Sequence, residues 1–264
     1  MSTTLFQNDT HRCIAFSDLV AGGEGVQANQ FLVIDHGEAA LIDPGGDLLY
    51  TPLWLGVSSH VQASQVRWIL ASHQDPDIIG AADLWLANTP AQIACSRLWG
   101  RFVPHSISHL QAGKLGGDRF ALLPDEGGEI PLGGTALHAL PAHFLHSVGN
   151  FSFYDPINRI LFSGDVGSSL VRSGATYAPV PDFDDHVHLM EAIHRRYMGS
   201  RRVARMWVDM VRALDPAMIV PQHGLPLDGR SIPAFLDWLY DLRCGIDLLD
   251  EGLFRLPESL AVPA

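Results

Sequence analysis

An apolar run that ends in a cluster of polar side chains is the feature that most constrains the fold of this chain. Residues 66–71 are mostly apolar, which predicts a buried strand. The next six residues, Ser-His-Gln-Asp-Pro-Asp, place His73, Asp75 and Asp77 at alternate positions. Because α/β proteins build their sites in the loops that leave sheet strands, this loop predicts a metal-binding or catalytic site at a sheet edge. A polar turn bent by Pro76 is the ordinary alternative for the loop alone.

Three further residues of metal-ligand type, His146, Asp165 and His223, lie beside predicted strands. Taken singly, each has an ordinary explanation as a buried histidine, a helix N-cap or a loop residue. Their occurrence together, in order and beside strand ends, favours a metal site instead. The six residues supply three imidazoles, three carboxylates and no thiolate. This mixture suits iron or manganese at least as well as zinc.

The composition is that of one compact domain over residues 1–264, with 47% hydrophobic and 17% charged residues. The formal net charge is −12 and the basic residues form no run longer than a pair of arginines, which argues against nucleic acid as a partner. The chain has three widely spaced cysteines, no signal-peptide pattern at its start and no run of eighteen apolar residues. We therefore expect no membrane span and a cytoplasmic location.

Hydrophobic patterning predicts two groups of strands, each followed by helices. The expected strands cover residues 13–16, 30–34, 39–42, 66–71, 93–95, 150–154, 159–163 and 217–220. The expected helices cover residues 48–62, 79–87, 186–214 and 232–249, and the last of these closes the domain at its C-terminal end. This order implies two sheets with helices on the outside.

Five segments resemble, in the same order, the metallo-β-lactamase superfamily. They are Leu-Ile-Asp-Pro-Gly at 41–45, Ser-His-Gln-Asp-Pro-Asp at 72–77, His-Ser-Val-Gly-Asn-Phe at 146–151, Leu-Phe-Ser-Gly-Asp at 161–165 and Pro-Gln-His-Gly at 221–224. The resemblance covers residues 29–227 and implies an α/β fold, the four-layer αββα sandwich of that superfamily. Its hydrolases typically carry His-x-His-x-Asp-His in the first loop. This chain has Asp75 and Ile78 at the second and last histidine positions.

The carboxylate at position 75 is typical of one branch of the superfamily, the flavodiiron proteins, in which the residue is usually glutamate. The string His-Gln-Asp-Pro-Asp, together with His-Phe-Leu-His-Ser at 143–147, is still more similar to the stand-alone oxygen-binding diiron proteins, which have the same core without a flavodoxin domain. About forty residues follow His223, too few for a flavodoxin domain. We therefore expect no flavodoxin domain and no flavin bound by this chain.

The resemblance implies two iron ions held by the six residues named above. His73, Asp75 and His146 would hold the first iron, Asp77 and His223 the second, and Asp165 would bridge both. Ile78 stands where flavodiiron proteins have a histidine on the second iron. It either leaves a coordination position open for dioxygen or weakens the second site.

Two further residues lie within the matching segments or next to them. Asp43 is expected outside the ligand set, where it orients a ligand or caps a turn. His143 precedes His146 by three residues, but the stretch after His146 aligns with the His-x-x-Gly pattern of the superfamily, so His146 is the expected ligand. His143 is then a candidate hydrogen-bond donor to bound oxygen, or a polar residue bonded to the backbone.

Three functions are compatible with these residues. The first is a dioxygen-binding non-haem diiron protein, an oxygen sensor or carrier that reduces oxygen slowly if at all, because full reduction takes four electrons and no flavin supplies them. The second is a diiron oxidoreductase that reduces dioxygen or nitric oxide with a separate electron-donor protein. The third is a zinc-dependent hydrolase of thioesters or phosphodiesters. We expect two iron ions, with zinc or manganese as alternatives, and a homodimer is a further expectation from the resemblance.

Overall fold

The computed structural model describes residues 2–20, 25–106 and 119–260, and it confirms the four-layer αββα arrangement. Two β-sheets pack face to face, and helices cover the outer face of each sheet. The strands are β1 Ser2–Gln7, β2 His11–Phe16, β3 Gln30–Asp35, β4 Glu38–Ile42, β5 Val66–Leu70, β6 Gln92–Ser96, β7 Phe120–Leu123, β8 Gly128–Leu132, β9 Thr135–Pro141, β10 Phe151–Asp155, β11 Ile160–Gly164, β12 Met218–Pro221 and β13 Leu227–Asp228. The helices are α1 Asp47–Ser58, α2 Pro76–Ile79, α3 Ala82–Asn88, α4 Phe183–His186, α5 Glu191–Tyr197, α6 Arg201–Leu214 and α7 Ser231–Asp241. Among the helices in these ranges, none combines the length and the apolarity needed to cross a bilayer.

The first sheet contains seven strands in chain order, β1 to β7. Strands β1 to β4 pair antiparallel, whereas β4 to β7 pair parallel, with α1 in the β4–β5 connection and α2 and α3 in the β5–β6 connection. All six residues of β3 are buried, because one face of the strand meets the second sheet and the other meets the helices. A nearly continuous apolar strand is expected where both faces of a sheet are covered.

The second sheet contains six strands in the order β13-β12-β11-β10-β9-β8. Strands β8 to β11 form an antiparallel meander, whereas β11 and β12 are parallel and α4 to α6 lie between them in sequence. The hairpin expected over 150–154 and 159–163 is present as β10 and β11, each shifted by one residue. Because the two strands are antiparallel, the residues before β10 and after β11 lie at the same end of the hairpin.

Three apolar clusters hold the four layers together. The middle cluster lies between the sheets, where the ring centroids of Phe31 and Phe162 are 5.1 Å apart. The outer cluster of the first sheet includes the fully buried Trp85, and that of the second sheet includes the fully buried Phe235. Burying a large apolar side chain contributes roughly 1.5–3 kcal/mol. The many buried side chains in these clusters therefore fix the sandwich independently of any bound group.

The helical segment expected over 186–214 is present but interrupted. The segment is divided into a 3₁₀ turn at Val187–Leu189, then α5 and α6, with a break at Gly199 and Ser200. Gly199 N donates to Phe144 O at 2.8 Å, and a Cβ at position 199 would lie 2.8 Å from the same oxygen. This close backbone contact with another loop ends α5, although the apolar spacing continues through the break.

The closing helix is also shorter than expected, since α7 ends at Asp241 and not at residue 249. Beyond it, Gly245 has a φ of +52° and lies against the backbone oxygens of Met198 and Gly199, where no side chain fits. The turn after α7 is therefore set by a contact with the break between α5 and α6.

Other boundaries also differ from those expected. Helix α1 ends at Ser58 and not at residue 62; the helix expected over 79–87 is present as α3, which begins at Ala82, while the short α2 precedes it and ends at Ile79. Each predicted strand is confirmed to within two residues at each end. The patterning predicts none of β1, β7, β8, β9 and β13, because polar residues occupy much of β1 and interrupt β8 and β9, while β7 and β13 are only four and two residues long.

A buried histidine links the two sheets away from the predicted ligands. His11 in β2 lies with Nδ1 2.9 Å from Asp35 Oδ1 in β3 and with Nε2 2.7 Å from Asp155 Oδ2 in β10 of the other sheet. All three side chains are buried. Burial by itself lowers the pKa of His11, but the hydrogen bonds to Asp155 and Asp35 outweigh it and raise the pKa above its ordinary value. The histidine thus joins two carboxylates of opposite sheets.

Candidate metal centre

The six predicted ligands come from four loops that meet at one edge of the sandwich. His73, Asp75 and Asp77 follow β5 of the first sheet. The other three belong to the second sheet: His146 precedes β10, Asp165 follows β11 and His223 follows β12. The structure brings all six side chains into contact, in two groups that share one carboxylate.

The first group consists of His73, Asp75 and His146. Asp75 Oδ2 lies 3.0 Å from His146 Nε2 and 3.7 Å from His73 Nε2. One candidate ligand atom from each residue lies within 4.8 Å of the other two. Two imidazole nitrogens and a carboxylate oxygen at this spacing match the donor set of a transition-metal ion.

The second group consists of Asp77 and His223, with Asp77 Oδ2 3.4 Å from His223 Nε2. Gln222, the residue before the histidine, donates from Nε2 to Asp77 O at 3.3 Å and so ties the two loops together. Because His223 is its only histidine, the second group has one imidazole fewer than the first.

Asp165 lies between the two groups and faces both. Its Oδ2 is 3.9 Å from His73 Nε2 and 3.9 Å from His146 Nε2, whereas its Oδ1 is 3.5 Å from His223 Nε2. Oδ1 is buried and accepts no hydrogen bond from any described residue. A buried carboxylate oxygen without a partner is costly unless a cation lies beside it. The side chain is therefore suited to bridge two metal ions.

Hydrogen bonds orient the imidazoles of His73 and His223 so that Nε2 points into the site. His73 Nδ1 lies 3.0 Å from Ser72 Oγ, and His223 Nδ1 donates to Gln27 O at 2.7 Å. A metal-binding histidine ordinarily donates its other ring N–H in this way, which fixes its tautomer and orientation. Ser72 is in turn held by Asp43, whose Oδ1 accepts a hydrogen bond from Ser72 N at 2.8 Å.

The family of the protein follows from comparison with known sequences. Residues 26–224 match a family model described as ODP family beta lactamase. The chain belongs to this family. Among solved structures, this ODP-family chain is 37% identical to the structure described as the peroxy diiron species of chemotaxis sensor ODP and to the apo state of chemotaxis sensor ODP from T. denticola. Each match covers 96% of this chain and 99% of the other, with a TM-score of 0.84.

Other relatives of the ODP-family chain are more distant. A flavo di-iron protein from Thermotoga maritima is 19% identical, with a TM-score of 0.71 over 91% of this chain and 61% of that chain, which shows a shared fold. An uncharacterized protein of Methanocaldococcus jannaschii is 23% identical over 201 residues, or 76% of this chain and 49% of its own length. The chain thus spans about half the length of that curated relative.

In this ODP-family site the imidazoles and carboxylates change one another's pKa. The hydrogen bond with Asp75 raises the pKa of His146 and lowers that of Asp75. Burial by itself lowers the pKa of His223, but Asp77 and Asp165 outweigh it and raise the pKa to about 9. Protons on His146 and His223 would offset part of the negative charge of the carboxylates in the metal-free protein, whereas burial lowers the pKa of His73. Metal binding would release these protons.

Asp43 lies outside the two groups, as expected. It is buried and bonded to Ser72, and burial raises its pKa to about 7. His143 Nε2 donates to Asp125 O at 2.7 Å, and its ring packs edge-on against Phe151. The hydrogen bond agrees with the second role expected for His143, that of a polar residue bonded to the backbone. A role as hydrogen-bond donor to bound oxygen stays a prediction.

Ile78 is fully buried, and its side chain belongs to the outer apolar cluster of the first sheet. It follows the predicted ligand Asp77 and supplies no donor atom. Whether this position leaves the second ion with an open coordination site stays a prediction.

Sequence reasoning missed several residues that hold the ligands in place. Gln74 and Ser147 are adjacent to predicted ligands, which is a usable signal; they contact each other, and Gln74 also contacts Asp75. The fully buried His194 carries no sequence signal, because it lies in α5 far from the motifs. Its Nε2 accepts a hydrogen bond from Gly167 N at 2.9 Å, just after Asp165, and burial lowers its pKa to about 4. A neutral His194 therefore fixes the turn that carries the shared carboxylate.

Proposed function

We propose that this protein binds two iron ions and uses them to bind dioxygen as an oxygen sensor or carrier. The position of Asp165 supports this most, because its two carboxylate oxygens face two separate groups of ligand-type side chains. The solved relative that is 37% identical over almost the whole chain is described as a peroxy diiron species of a chemotaxis sensor. A diiron oxygen-binding function is the one that agrees with both observations.

In this proposal the ligand roles are those expected from the sequence. The first ion is held by His73, Asp75 and His146, the second by Asp77 and His223, and both by Asp165. When bound, two ferrous ions supply the redox chemistry by which dioxygen is held. The protein's own contribution is to fix the imidazole orientations, to bury the shared carboxylate and to leave the second group with one imidazole fewer.

A zinc hydrolase has less support from this geometry. Asp75 supplies a carboxylate where the hydrolases of the superfamily typically have a histidine, and three carboxylates make the site harder than a histidine-rich zinc site. Turnover as an oxidoreductase would need a separate electron-donor protein, because we propose no flavin on this chain. A cytoplasmic location and a homodimer complete the proposal.

The experiment is anaerobic purification, metal analysis and an optical spectrum before and after exposure to air. We expect two iron ions per chain and a visible band that forms with oxygen and persists. Colourless protein with two zinc ions and esterase activity would support hydrolysis and contradict the proposal. Rapid, continuous oxygen consumption with an added reductase would favour an oxidoreductase over a sensor or carrier.

A matched control for the metal analysis is the pair His73→Ala and His138→Ala. His73 belongs to the first group, whereas His138 lies in β9 and is not one of the six expected ligands. We expect iron loss only in the first variant. Equal iron content in both variants would contradict the ligand assignment. Size-exclusion chromatography with light scattering tests the homodimer, and cell fractionation tests the location.

A further inference from the structure

The side chain of Gln74 connects Asp75 to the loop that carries His146, and both are expected ligands of the first group. Gln74 Nε2 donates to Asp75 Oδ1 at 2.9 Å, and Gln74 Oε1 accepts from Ser147 Oγ at 2.7 Å. The donor assignment follows from chemistry, because an ionised carboxylate only accepts hydrogen bonds. The amide nitrogen of Gln74 must therefore face Asp75, which leaves its oxygen for the Ser147 hydroxyl.

This contact occupies one of the two carboxylate oxygens of Asp75. Oδ1 accepts a hydrogen bond from the amide N–H of Gln74, while Oδ2 lies 3.0 Å from His146 Nε2 and 3.7 Å from His73 Nε2. The two oxygens thus have different partners, and only Oδ2 is presented to the first group. An aspartate held in this way offers one oxygen to an ion.

The same contact joins the loops of the two sheets. Gln74 lies in the loop after β5, and Ser147 lies in the loop before β10, next to His146. Ser147 is itself buried, and its carbonyl accepts hydrogen bonds from Phe144 N at 2.7 Å and from Asn150 N at 3.3 Å. The serine is therefore fixed by its own loop and provides a firm anchor for the Gln74 side chain.

We propose that Gln74 and Ser147 are positioning residues that hold Asp75 as a one-oxygen ligand of the first metal ion and couple its position to that of His146. The inference rests on the proposed metal centre and adds to it two residues that contact no ion themselves. Partners of this kind typically change metal affinity by about 10–100-fold when they are removed.

The test uses cobalt(II) as the probe, with stepwise titration under chelator competition and an absorption spectrum at each step. Gln74→Met keeps the length of the side chain but cannot donate to Asp75. We expect it to bind one of the two cobalt ions about 10–100-fold more weakly and the other as in the wild type. Ser147→Ala should have a smaller effect in the same direction, and Ser147→Thr, which keeps the hydroxyl, should restore wild-type binding. Gln7→Met, at an exposed position of β1, is the control.

The double variant Gln74→Met/Ser147→Ala tests the coupling. Because Ser147 acts through Gln74, its substitution should add nothing once Gln74 is replaced. An infrared difference spectrum with ¹³C-labelled aspartate should show a changed carboxylate stretch in Gln74→Met, since the released oxygen is free to approach the ion.

Four results would overturn the inference or its basis. Wild-type affinities for both ions and an unchanged infrared spectrum in Gln74→Met would show that Gln74 does not position Asp75. Additive effects in the double variant would show that Ser147 does not act through Gln74. Loss of both ions together with earlier melting of the metal-free Gln74→Met protein would show a general structural role. A wild-type protein that binds no cobalt would overturn the proposed metal centre itself.

Discussion

Asp165 Oδ1 lies 3.5 Å from His223 Nε2, while the other oxygen of the same carboxylate faces the two histidines of the first group. One side chain thus serves two clusters of donors, each of which draws residues from both sheets. Its buried Oδ1 accepts no hydrogen bond from any described residue, which suits it to bind a cation.

Substitution of the shared carboxylate should affect both ions. Asp165→Asn keeps the shape of the side chain but removes its charge, so we expect loss of both metals or weakened binding of both. Asp77→Asn should affect the second ion alone, because Asp77 contacts only His223 and not the histidines of the first group among the ion pairs of the described residues. Metal content per chain, measured after extensive dialysis, checks this. Asp9→Asn, at an exposed site, is the control; two retained ions in Asp165→Asn would show that the bridge is wrong.

Metal removal should lower thermal stability. Ions that bind only the folded state stabilise it by mass action, by about 2.7 kcal/mol when the free ion is at 100 times its dissociation constant. For a chain of this size we expect the melting temperature of the metal-free protein to be lower by roughly 5–10 °C. Calorimetry of the metal-loaded and chelator-treated protein measures the difference. In Asp165→Asn the two melting temperatures should coincide, and a persistent difference there would point to metal bound elsewhere.

Ile78→His tests whether position 78 can reach the second ion. If it can, the new imidazole should retain the second metal more tightly and shorten the life of the visible band formed in air, because an added donor changes the electronic structure of the ion. Ile79→His is a matched control, since Ile79 is buried in the same apolar cluster. Both variants bury a polar ring and should lose stability. Equal metal retention in the two variants would show that position 78 does not face the ion.

The buried His11 should make stability depend on pH. Its pKa is higher in the folded protein than in the unfolded chain, so its contribution is complete below about pH 6.5 and is lost as the pH rises through the folded value. We expect metal-free His11→Gln to be less stable than the wild type by about 3 kcal/mol at pH 6 and by less at pH 9. Urea unfolding at both pH values measures the difference. A difference that is the same at pH 6 and pH 9 would contradict the raised pKa.

That the six expected ligands lie close together could be predicted from the sequence, because each lies within a few residues of a strong local signal. His73, Asp75 and Asp77 follow an apolar strand of the first sheet, and Asp165 follows one of the second, so they meet once the two sheets pack face to face. The residues that orient them could not be predicted in the same way. The carbonyl of Gln27 and the ring of His194 lie near the site only because the chain is folded, since both residues are distant from the ligand motifs in sequence. Neither residue belongs to a recognisable sequence motif.

The fold shows the same division between local and distant causes. Strands that are mostly apolar and buried are predictable, whereas β8 and β9 each bury only two side chains, at alternate positions. The break at Gly199 has its cause in a backbone contact with Phe144, more than fifty residues earlier in the chain. The spacing of apolar residues carries no information about such a contact, so it predicts a helical segment over 186–214 without the break.

Because the expected ligands come from both sheets, bound ions would connect the two sheets at one edge. The three cysteines are buried and free, so no covalent cross-link joins the sheets. Ions held between the loop after β5 and the loops of the second sheet would act as a removable cross-link at that edge, while the apolar cluster between the sheets keeps the remainder closed. Withdrawal of the metal is then expected to loosen this edge first, and limited proteolysis of the metal-free protein should begin in the ligand loops.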